Sequence, residues 1–302
     1  MDFLMTTDLG PDGLGAVLDL AAAVKADRSL HRGTLRGLKV GLFFEKPSTR
    51  TRVSCEAAVV DLGAHPVVLK SDEVGLGRRE AVADVARVLD RYLDILAFRV
   101  FDHRHLVELA DNADAPVVNL LSDRSHPCQA LADLQTVREH RELAGTILTY
   151  VGDGNNVAHS LMLAGAMSGM EIRVAAPPGF EPAADITAEA MAIARTTGGS
   201  IMVTSDPHVG VAGADVVYTD VWASMGQEDE AEERRRLFAP FQVDSELFGE
   251  AARHAIFLHC LPAHRGEEVT DDVIEHERSF VFDQAENRMH AFKALLVQLQ
   301  LR

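Results

Sequence analysis

The sequence predicts an α/β fold with two doubly wound parallel-sheet domains joined by helices. Short apolar runs alternate with amphipathic helical stretches along the chain, which is typical of parallel strands linked by helices. Ten strands would make a large open sheet, and 302 residues suffice for two domains. The predicted strands are 38–44, 66–69, 94–98, 116–119, 147–152, 172–175, 201–204, 216–219, 255–258 and 280–282.

The helical periodicity sets the expected domain boundaries. Helix 127–140 lies at the midpoint and is expected to connect the two domains, and 284–301 is expected to be the final helix. We expect domains at 1–134 and 135–275, with 276–302 packing back on the first. The polar stretch 226–236 is predicted to be a loop that runs into a solvated helix. The remaining predicted helices are 49–62, 79–89, 156–168 and 183–197.

Composition narrows the class of protein. Hydrophobic residues make up 47% and charged residues 25%, which is typical of a globular protein with a substantial core. The net charge of −17 argues against nucleic acid as a partner, because no basic stripe is present to meet phosphates. No apolar run approaches the roughly 18 residues of a membrane span, and the first residues lack signal or transit features. Three cysteines are too few for a disulfide framework and predict a cytoplasmic protein.

Residues 44–52, Phe-Glu-Lys-Pro-Ser-Thr-Arg-Thr-Arg, predict an anion site. Pro47 ends an apolar strand, and Ser48 is a good N-cap for the helix that follows. The first helical turn then carries two threonines and two arginines, residues 49–52. Arginines in a first turn oppose the helix dipole unless an anion is bound, and free backbone N–H groups suit phosphate. We therefore expect phosphate at this turn.

Five further clusters of polar side chains follow predicted strands. Ligands of open α/β sheets bind at the carboxyl ends of strands, so these clusters are expected to share one active site in the interdomain cleft. Any one of them alone is compatible with a helix cap or a small buried side chain. The clusters are Arg99 and residues 126–129, 152–156, 220–226 and 259–265.

Two cofactor interpretations fail on spacing. Gly152-x-Gly154 resembles a dinucleotide fingerprint, but Val157 stands where the third glycine belongs. His259 and Cys260 suggest zinc, but adjacent residues at a strand end are expected to point to opposite faces. No Cys-x-x-Cys or His-Glu-x-x-His pattern accompanies them. We therefore expect neither a cofactor nor a metal ion.

Taken together, the motifs resemble those of the ornithine carbamoyltransferases, from about residue 8 onward. The Ser-Met-Gly and His-Cys-Leu-Pro motifs point to the ornithine branch of the aspartate/ornithine carbamoyltransferase family. The resemblance implies carbamoyl transfer from carbamoyl phosphate to the δ-amine of L-ornithine, by a homotrimer with active sites at subunit interfaces. The motifs are Ser-Thr-Arg-Thr-Arg at 48–52, His-Pro-Cys-Gln at 126–129, Gly-Asp-Gly-Asn-Asn at 152–156, Asp-Val-Trp-x-Ser-Met-Gly-Gln-Glu at 220–228 and His-Cys-Leu-Pro-Ala-His-Arg at 259–265.

The resemblance also implies roles for individual residues. The first domain would bind carbamoyl phosphate, with donors from Arg99, His126 and Thr51 aimed at the carbamoyl oxygen. Gln129 and the backbone around Leu261 would accept from the carbamoyl NH₂ group. The implied phosphate ligands are Ser48, Thr49, Arg50, Thr51 and Arg288.

On the second domain the resemblance implies an ornithine site. Asp220 would pair with the α-ammonium group, and Cys260 would lie beside the attacking side chain to orient it. The α-amino-acid end of the substrate would be held by Asn156, Ser224 and Met225.

The sequence departs from the family pattern at Gly75. Members usually carry Gln-Leu-Gly near residues 75–77, with the Gln reaching the carbamoyl phosphate of a neighbouring subunit; here Gly75 has no side chain. In addition, Val53 and Cys55 replace aromatic residues. Either Arg78 or Arg79 compensates, or phosphate affinity is weakened, or the substrates differ. The alternatives are a carbamoyltransferase for another amine, such as putrescine or an acylated ornithine, and a non-catalytic binding homologue.

Overall fold

The computed structural model describes residues 1–223 and 231–300. It divides into two compact units, the first comprising Met1–Gln135 and Glu286–Arg302 and the second Thr136–Ala285. The chain thus passes into the second unit within one helix, Pro127–His140, and returns to the first within another, Val281–Gln300. Residues 276–285, expected to belong to the final segment that packs on the first domain, fall in the second unit.

The first unit contains a four-stranded parallel sheet in the order β2-β1-β3-β4. Its strands are β1 (Lys39–Phe44), β2 (His65–Lys70), β3 (Ile95–Arg99) and β4 (Val117–Leu121). Because β2 and β3 pair with opposite sides of β1, the strand order reverses between β1 and β3, where open α/β sheets bind ligands. Its helices are α1 (Gly10–Ala26), α2 (Thr49–Asp61), α3 (Ser71–Val74), α4 (Val82–Leu89), α5 (His103–Asn112) and the start of α6 (Pro127–His140).

One core cluster packs between this sheet and the helices α4 and α5. Phe43 of β1 and Phe98 of β3 are buried and stack at a centroid distance of 4.9 Å. Val85 of α4 and Leu106 of α5 belong to the same cluster. The packing fixes the end of β1, from which the phosphate motif continues, beside the end of β3.

The second unit contains a five-stranded parallel sheet in the order β7-β6-β5-β8-β9. Its strands are β5 (Ile147–Val151), β6 (Glu171–Ala175), β7 (Ser200–Thr204), β8 (Val216–Thr219) and β9 (Ile256–His259). The order reverses between β5 and β8, so the loops after these strands flank the expected ligand edge. Its helices are α7 (Asn156–Met167), α8 (Ala184–Thr197), α9 (Pro207–Val211), α10 (Ala231–Phe238), α11 (Ser245–Gly249), α12 (Asp271–Ile274) and the start of α13 (Val281–Gln300).

The two predicted parallel-sheet domains are confirmed, but the strand predicted at 280–282 is wrong. Val281 begins α13, and only Ser279 forms an isolated bridge, to Phe257 of β9. A run of three apolar residues does not distinguish a strand from a helix. Here Val281 is buried and Phe282 is exposed, as on an amphipathic helix. Within the described residues, no helix combines the length and the apolar character that crossing a lipid bilayer requires.

Candidate active site

The phosphate motif forms the predicted capped helix start. Ser48 is the N-cap of α2, and its hydroxyl accepts a hydrogen bond from the backbone N–H of Thr51 at 3.4 Å. The same hydroxyl donates to Thr51 Oγ1 at 3.0 Å. No acidic residue occupies the first turn, where Thr49 and Arg50 lie. The turn therefore keeps its positive electrostatic character.

A second cation lies at this helix start. Arg288 of α13 is buried and donates from Nη2 to Thr51 Oγ1 at 2.6 Å. In the described part of the chain, Arg288 forms no ion pair with a carboxylate. A buried guanidinium without a counter-charge is costly. An anion at this turn would supply the missing charge.

His126 lies close to this cation and to Arg99. Both side chains are buried, Arg99 at the end of β3 and His126 just before α6. Burial lowers the pKa of His126 well below its ordinary value, and the charges of Arg288 and Arg99 lower it further. His126 is therefore neutral near pH 7 and still carries one N–H donor.

The lowered pKa of His126 predicts a pH-dependent stability. Below an ordinary pKa of 6.5 the unfolded chain binds a proton that folded His126 does not, so stability falls as pH falls from 6.5 toward the folded pKa. The loss has a limiting slope of about 1.4 kcal/mol per pH unit. Urea unfolding of the wild type and of His126→Gln at several pH values measures it. Equal loss of stability in both proteins on acidification would contradict the prediction.

Gln129 contributes a hydrogen-bond acceptor near His126. It lies on the first turn of α6, and its backbone N–H donates to the carbonyl of His126 at 3.0 Å. Its side chain is buried, and Oε1 has no hydrogen-bond partner among the described residues. Such an atom is expected to accept from a ligand.

In the second unit, Asp220 lies directly after β8 and is held by three donors. Its Oδ1 accepts from the N–H of Val221 at 2.8 Å and from Sγ of Cys260 at 3.0 Å. Its Oδ2 accepts from Nδ2 of Asn155 at 3.2 Å. These bonds fix a buried carboxylate at the reversal point of the sheet, where it suits an ammonium ligand.

The Gly152–Asn156 segment positions Asn155, a member of the predicted 152–156 cluster to which the sequence assigned no role of its own. The Oδ1 atom of Asn155 accepts from the N–H groups of Val157 and Ala158 and so caps α7, while its Nδ2 reaches Asp220. Asn156, the predicted ligand, opens the helix. Gly154 cannot be replaced, because a Cβ there would lie 2.3 Å from the backbone nitrogen of Pro182.

The expectation that His259 and Cys260 point apart is wrong. Ligand atoms of Asp220, His259 and Cys260 lie within 4.8 Å of one another. Strand β9 ends at His259, and Leu261 has a left-handed φ of 57°, so strand alternation no longer applies.

The hydrogen bonds of this cluster determine how well it suits a metal ion. His259 Nδ1 accepts from the N–H of Leu261 at 2.8 Å, and Nε2 lies 3.2 Å from Oε1 of buried Glu268. Both ring nitrogens are thus engaged, and the Cys260 thiol donates to Asp220. A second acidic cluster is formed by His264, Glu267 and Glu268. In the first cluster a metal ion would have to displace these bonds, so the donor set fits a hydrogen-bonded network better.

Arg234 is another residue that the sequence did not single out. It lies on α10, and its Nη1 donates to Asp153 Oδ2 at 2.8 Å and to the carbonyl of Trp222 at 2.9 Å. Its guanidinium also packs over the ring of Phe180 at 4.8 Å from the centroid. Both members of the Arg234–Asp153 pair are buried. This ion pair ties α10 to the loops after β5 and β8.

Replacing Arg234 by Met is expected to destabilise the protein by about 3–5 kcal/mol, because it removes the buried cation that pairs with the Asp153 carboxylate. The neighbouring Arg235 provides a matched control. Its ion pair with Glu267 is largely exposed, so Arg235→Met should cost less than about 1 kcal/mol. Urea unfolding of both variants tests this. Similar losses in the two would show that the buried pair has no special importance.

The loop around Gly75 explains why no side chain stands there. Gly75 has a left-handed φ of 63° as the C-cap of α3, and a Cβ would lie 2.6 Å from the Cβ of Arg79. Arg79 donates to the carbonyl of Glu73 at 2.6 Å, within its own loop. The side chain of Arg78 makes no hydrogen bond to any described residue. Of the two candidate substitutes for the missing Gln, Arg78 is therefore the freer. Ser224 and Met225 lie outside the described residues.

Both units match domains of one known protein family. Residues 1–139 match the carbamoyl-P binding domain of the aspartate/ornithine carbamoyltransferases, and residues 144–299 match their Asp/Orn binding domain. The chain belongs to the aspartate/ornithine carbamoyltransferase family. The family resemblance predicted from the motifs is thus confirmed.

Individual relatives agree with this assignment. The ornithine carbamoyltransferase of Acidothermus cellulolyticus is 54% identical over 97% of this chain and 95% of that protein. The anabolic ornithine carbamoyltransferase of Pyrococcus furiosus is 50% identical over 98% of this chain and 95% of its own length. A solved structure of ornithine carbamoyltransferase from Pyrococcus furiosus matches with a TM-score of 0.95 at 50% identity, over 98% of this chain and 95% of that one.

Proposed function

We propose that this member of the family is an ornithine carbamoyltransferase, which converts carbamoyl phosphate and L-ornithine into L-citrulline and phosphate. The observation that carries the proposal is the buried Arg288, which is bound to Thr51 at the start of α2 and has no carboxylate partner among the described residues. A phosphate dianion satisfies both the cation and the free N–H groups of the turn. The relatives named ornithine carbamoyltransferase support the choice of substrates.

The first unit would bind and activate carbamoyl phosphate. Its phosphate is held by residues 48–51 and by Arg288, which balances charge as the leaving group departs. Arg99, His126 and Thr51 donate to the carbamoyl oxygen. That oxygen gains negative charge when the amine attacks, so these donors stabilise the transition state more than the ground state. A neutral His126 donates without competing with the phosphate for a counter-charge.

The second unit would hold ornithine by its α-amino-acid end. Asp220 pairs with the α-ammonium group, with Asn156, Ser224 and Met225 beside it. The neutral δ-amine attacks the carbamoyl carbon, the bond from that carbon to the phosphate oxygen breaks, and the nitrogen releases a proton. No covalent enzyme intermediate is required. Cys260, whose thiol donates to Asp220, orients the substrate and does not attack it.

We further propose an anabolic role in arginine biosynthesis, a cytoplasmic location and a homotrimer with active sites at subunit interfaces. The name of the Pyrococcus furiosus relative supports the anabolic direction. The three cysteines are buried thiols, which suits a reducing compartment. Val53 and Val60 lie seven residues apart on α2 and are each 60% exposed, so one face of that helix has apolar side chains for a neighbouring subunit to cover.

A citrulline assay with a panel of amines tests the proposal. Ornithine is expected to be carbamoylated, while putrescine and N-acetylornithine give little product. Preferential use of either other amine would identify a different carbamoyltransferase. Binding of carbamoyl phosphate without any product would identify a non-catalytic homologue. Light scattering measures the assembly, and a monomer or dimer at working concentration would exclude the trimer.

A further inference from the structure

A buried side-chain pair on α6 lies beside the proposed carbamoyl site. Gln129 and Asp133 are four residues apart on one helix face, with relative exposures of 1% and 0%. Nε2 of Gln129 donates to Oδ1 of Asp133 at 2.8 Å. Asp133 has no part in the mechanism described above, and burying a carboxylate is unfavourable unless it makes specific contacts.

The chemistry of the pair fixes which way the Gln129 amide faces. An ionised carboxylate only accepts hydrogen bonds, so the NH₂ group of Gln129 must face Asp133. The carbonyl Oε1 then faces away, and no described residue donates to it. A buried amide oxygen in this position remains able to accept a hydrogen bond from a ligand.

The side chains proposed to hold the carbamoyl oxygen are hydrogen-bond donors. His126 precedes Gln129 by less than one helical turn. The charges of Arg288 and Arg99 lower the pKa of His126. Donors suit the oxygen atoms of a phosphate and of a carbonyl group, but they cannot bind an N–H. The Oε1 atom of Gln129 can accept a hydrogen bond from an N–H group. It therefore distinguishes a carbamoyl NH₂ group from a methyl group of similar size.

We propose that Asp133 is a positioning residue that holds the Gln129 amide with Oε1 toward the ligand, and so makes the first unit select acyl phosphates that carry an NH₂ group. The inference rests on the proposed function, together with the role that the family resemblance implies for Gln129, which is to accept from the carbamoyl NH₂ group. Asp133 does not touch the substrate; it acts through Gln129. A ligand with CH₃ in place of NH₂ leaves the buried Oε1 unpaired, which disfavours it on the order of ten- to a hundredfold.

Binding of two stable analogues tests the selection directly. Phosphonoacetamide and acetonylphosphonate share the phosphonate and the carbonyl group and differ only in NH₂ against CH₃. Calorimetry gives both dissociation constants without any turnover. The wild type is expected to prefer phosphonoacetamide at least tenfold. Equal affinity for the two analogues in the wild type would overturn the proposal before any variant is made.

Asp133→Asn tests the positioning role. Asparagine can donate as well as accept, so Gln129 is free to turn its NH₂ group toward the ligand. The preference for phosphonoacetamide is expected to fall to less than threefold, while the affinity for acetonylphosphonate changes little. The KM for ornithine should also change little. A structural role alone would weaken both analogues together, and that result would contradict the proposal.

A double variant, Gln129→Glu with Asp133→Asn, keeps the total charge of the pair and is designed to restore the preference for phosphonoacetamide. The new Asn donates to one oxygen of the new Glu, whose second oxygen then faces the ligand as an acceptor. The double variant is expected to regain the preference that Asp133→Asn loses. Gln129→Glu alone places two carboxylates side by side and should bind both analogues weakly. If the double variant folds and shows no preference, the proposal is wrong.

The outcome for Asp133 can be separated from the outcome for the proposed function. A wild type that prefers phosphonoacetamide but makes no citrulline refutes the proposed enzyme activity and leaves the selection for an NH₂ group standing, and Asp133→Asn then decides the role of Asp133. A wild type that makes citrulline without any preference between the analogues keeps the enzyme and refutes the role of Asp133.

Discussion

Arg50→Ala is expected to remove most citrulline formation while changing the melting temperature little. The guanidinium lies on the first turn of α2, where it can hold phosphate in a bidentate fork. Loss of two charge-assisted hydrogen bonds to the phosphate should lower kcat/KM on the order of a hundred- to a thousandfold. The measurement is the initial rate of citrulline formation over a range of carbamoyl phosphate concentrations.

Arg52→Ala is the matched control for this change. Arg52 lies two residues further along the same helix, but its Nε bonds Oε1 of Glu56 at 2.6 Å, and about half of its side chain is exposed. Its removal changes the net charge by the same amount and should leave kcat/KM within a few-fold. An Arg50→Ala enzyme within tenfold of the wild type, about 1.4 kcal/mol, would show that the phosphate site is assigned wrongly.

Asp220→Asn is expected to raise the KM for ornithine about a hundredfold, with carbamoyl phosphate binding changed less than about threefold. The carboxylate would lose its proposed pairing with the α-ammonium group. In addition, three donors point at the Asp220 oxygens, from Val221, Cys260 and Asn155, so an amide NH₂ would face at least one of them. Steady-state kinetics with each substrate varied in turn gives both constants.

Asp215 serves as the control because it lies at the opposite end of the same strand. It precedes β8, and its side chain bonds Arg141, His254 and the N–H of Ile147. Asp215→Asn should cost stability and leave the KM for ornithine nearly unchanged. Equal weakening of the binding of both substrates in Asp220→Asn would instead indicate a shared structural role.

Cys260→Ser should retain measurable activity, because Cys260 is proposed to orient the substrate and not to attack it. Trapping of a carbamoylated Cys260 would contradict the proposed mechanism.

Local patterns in the sequence predicted the parts of the fold that depend on neighbouring residues. The first nine predicted strands correspond to β1–β9, and the cap by Ser48 is confirmed, because apolar runs and capping residues act within a few positions. Residues 280–282 were predicted wrongly, since whether an apolar triplet extends a strand or opens a helix is decided by what packs on Val281.

Residues whose partners are distant in the chain were not predictable in this way. Asn155 bonds Asp220, 65 residues away, and Arg234 bonds Asp153, 81 residues away. The motif at 152–156 contains Asn155 but does not show which residue its side chain reaches, and Arg234 belongs to none of the motifs. Arg288 was found only through the resemblance, because its contact with Thr51 spans 237 residues. Asp133 is the exception, since the spacing of four from Gln129 was visible in the sequence and was not used.

Because α13 returns to the first unit, the residues of the proposed phosphate site are not all synthesised together. Ser48 to Gln129 are synthesised early, but their buried guanidinium partner arrives about 160 residues after Gln129, once the second unit has been made. A nascent chain that ends within the second unit would therefore have the helix start of α2 without the cation bound to it. A fragment of residues 1–135 should bind phosphate weakly, and supplying residues 281–302 as a separate peptide is a direct way to ask whether the missing half can be restored in trans.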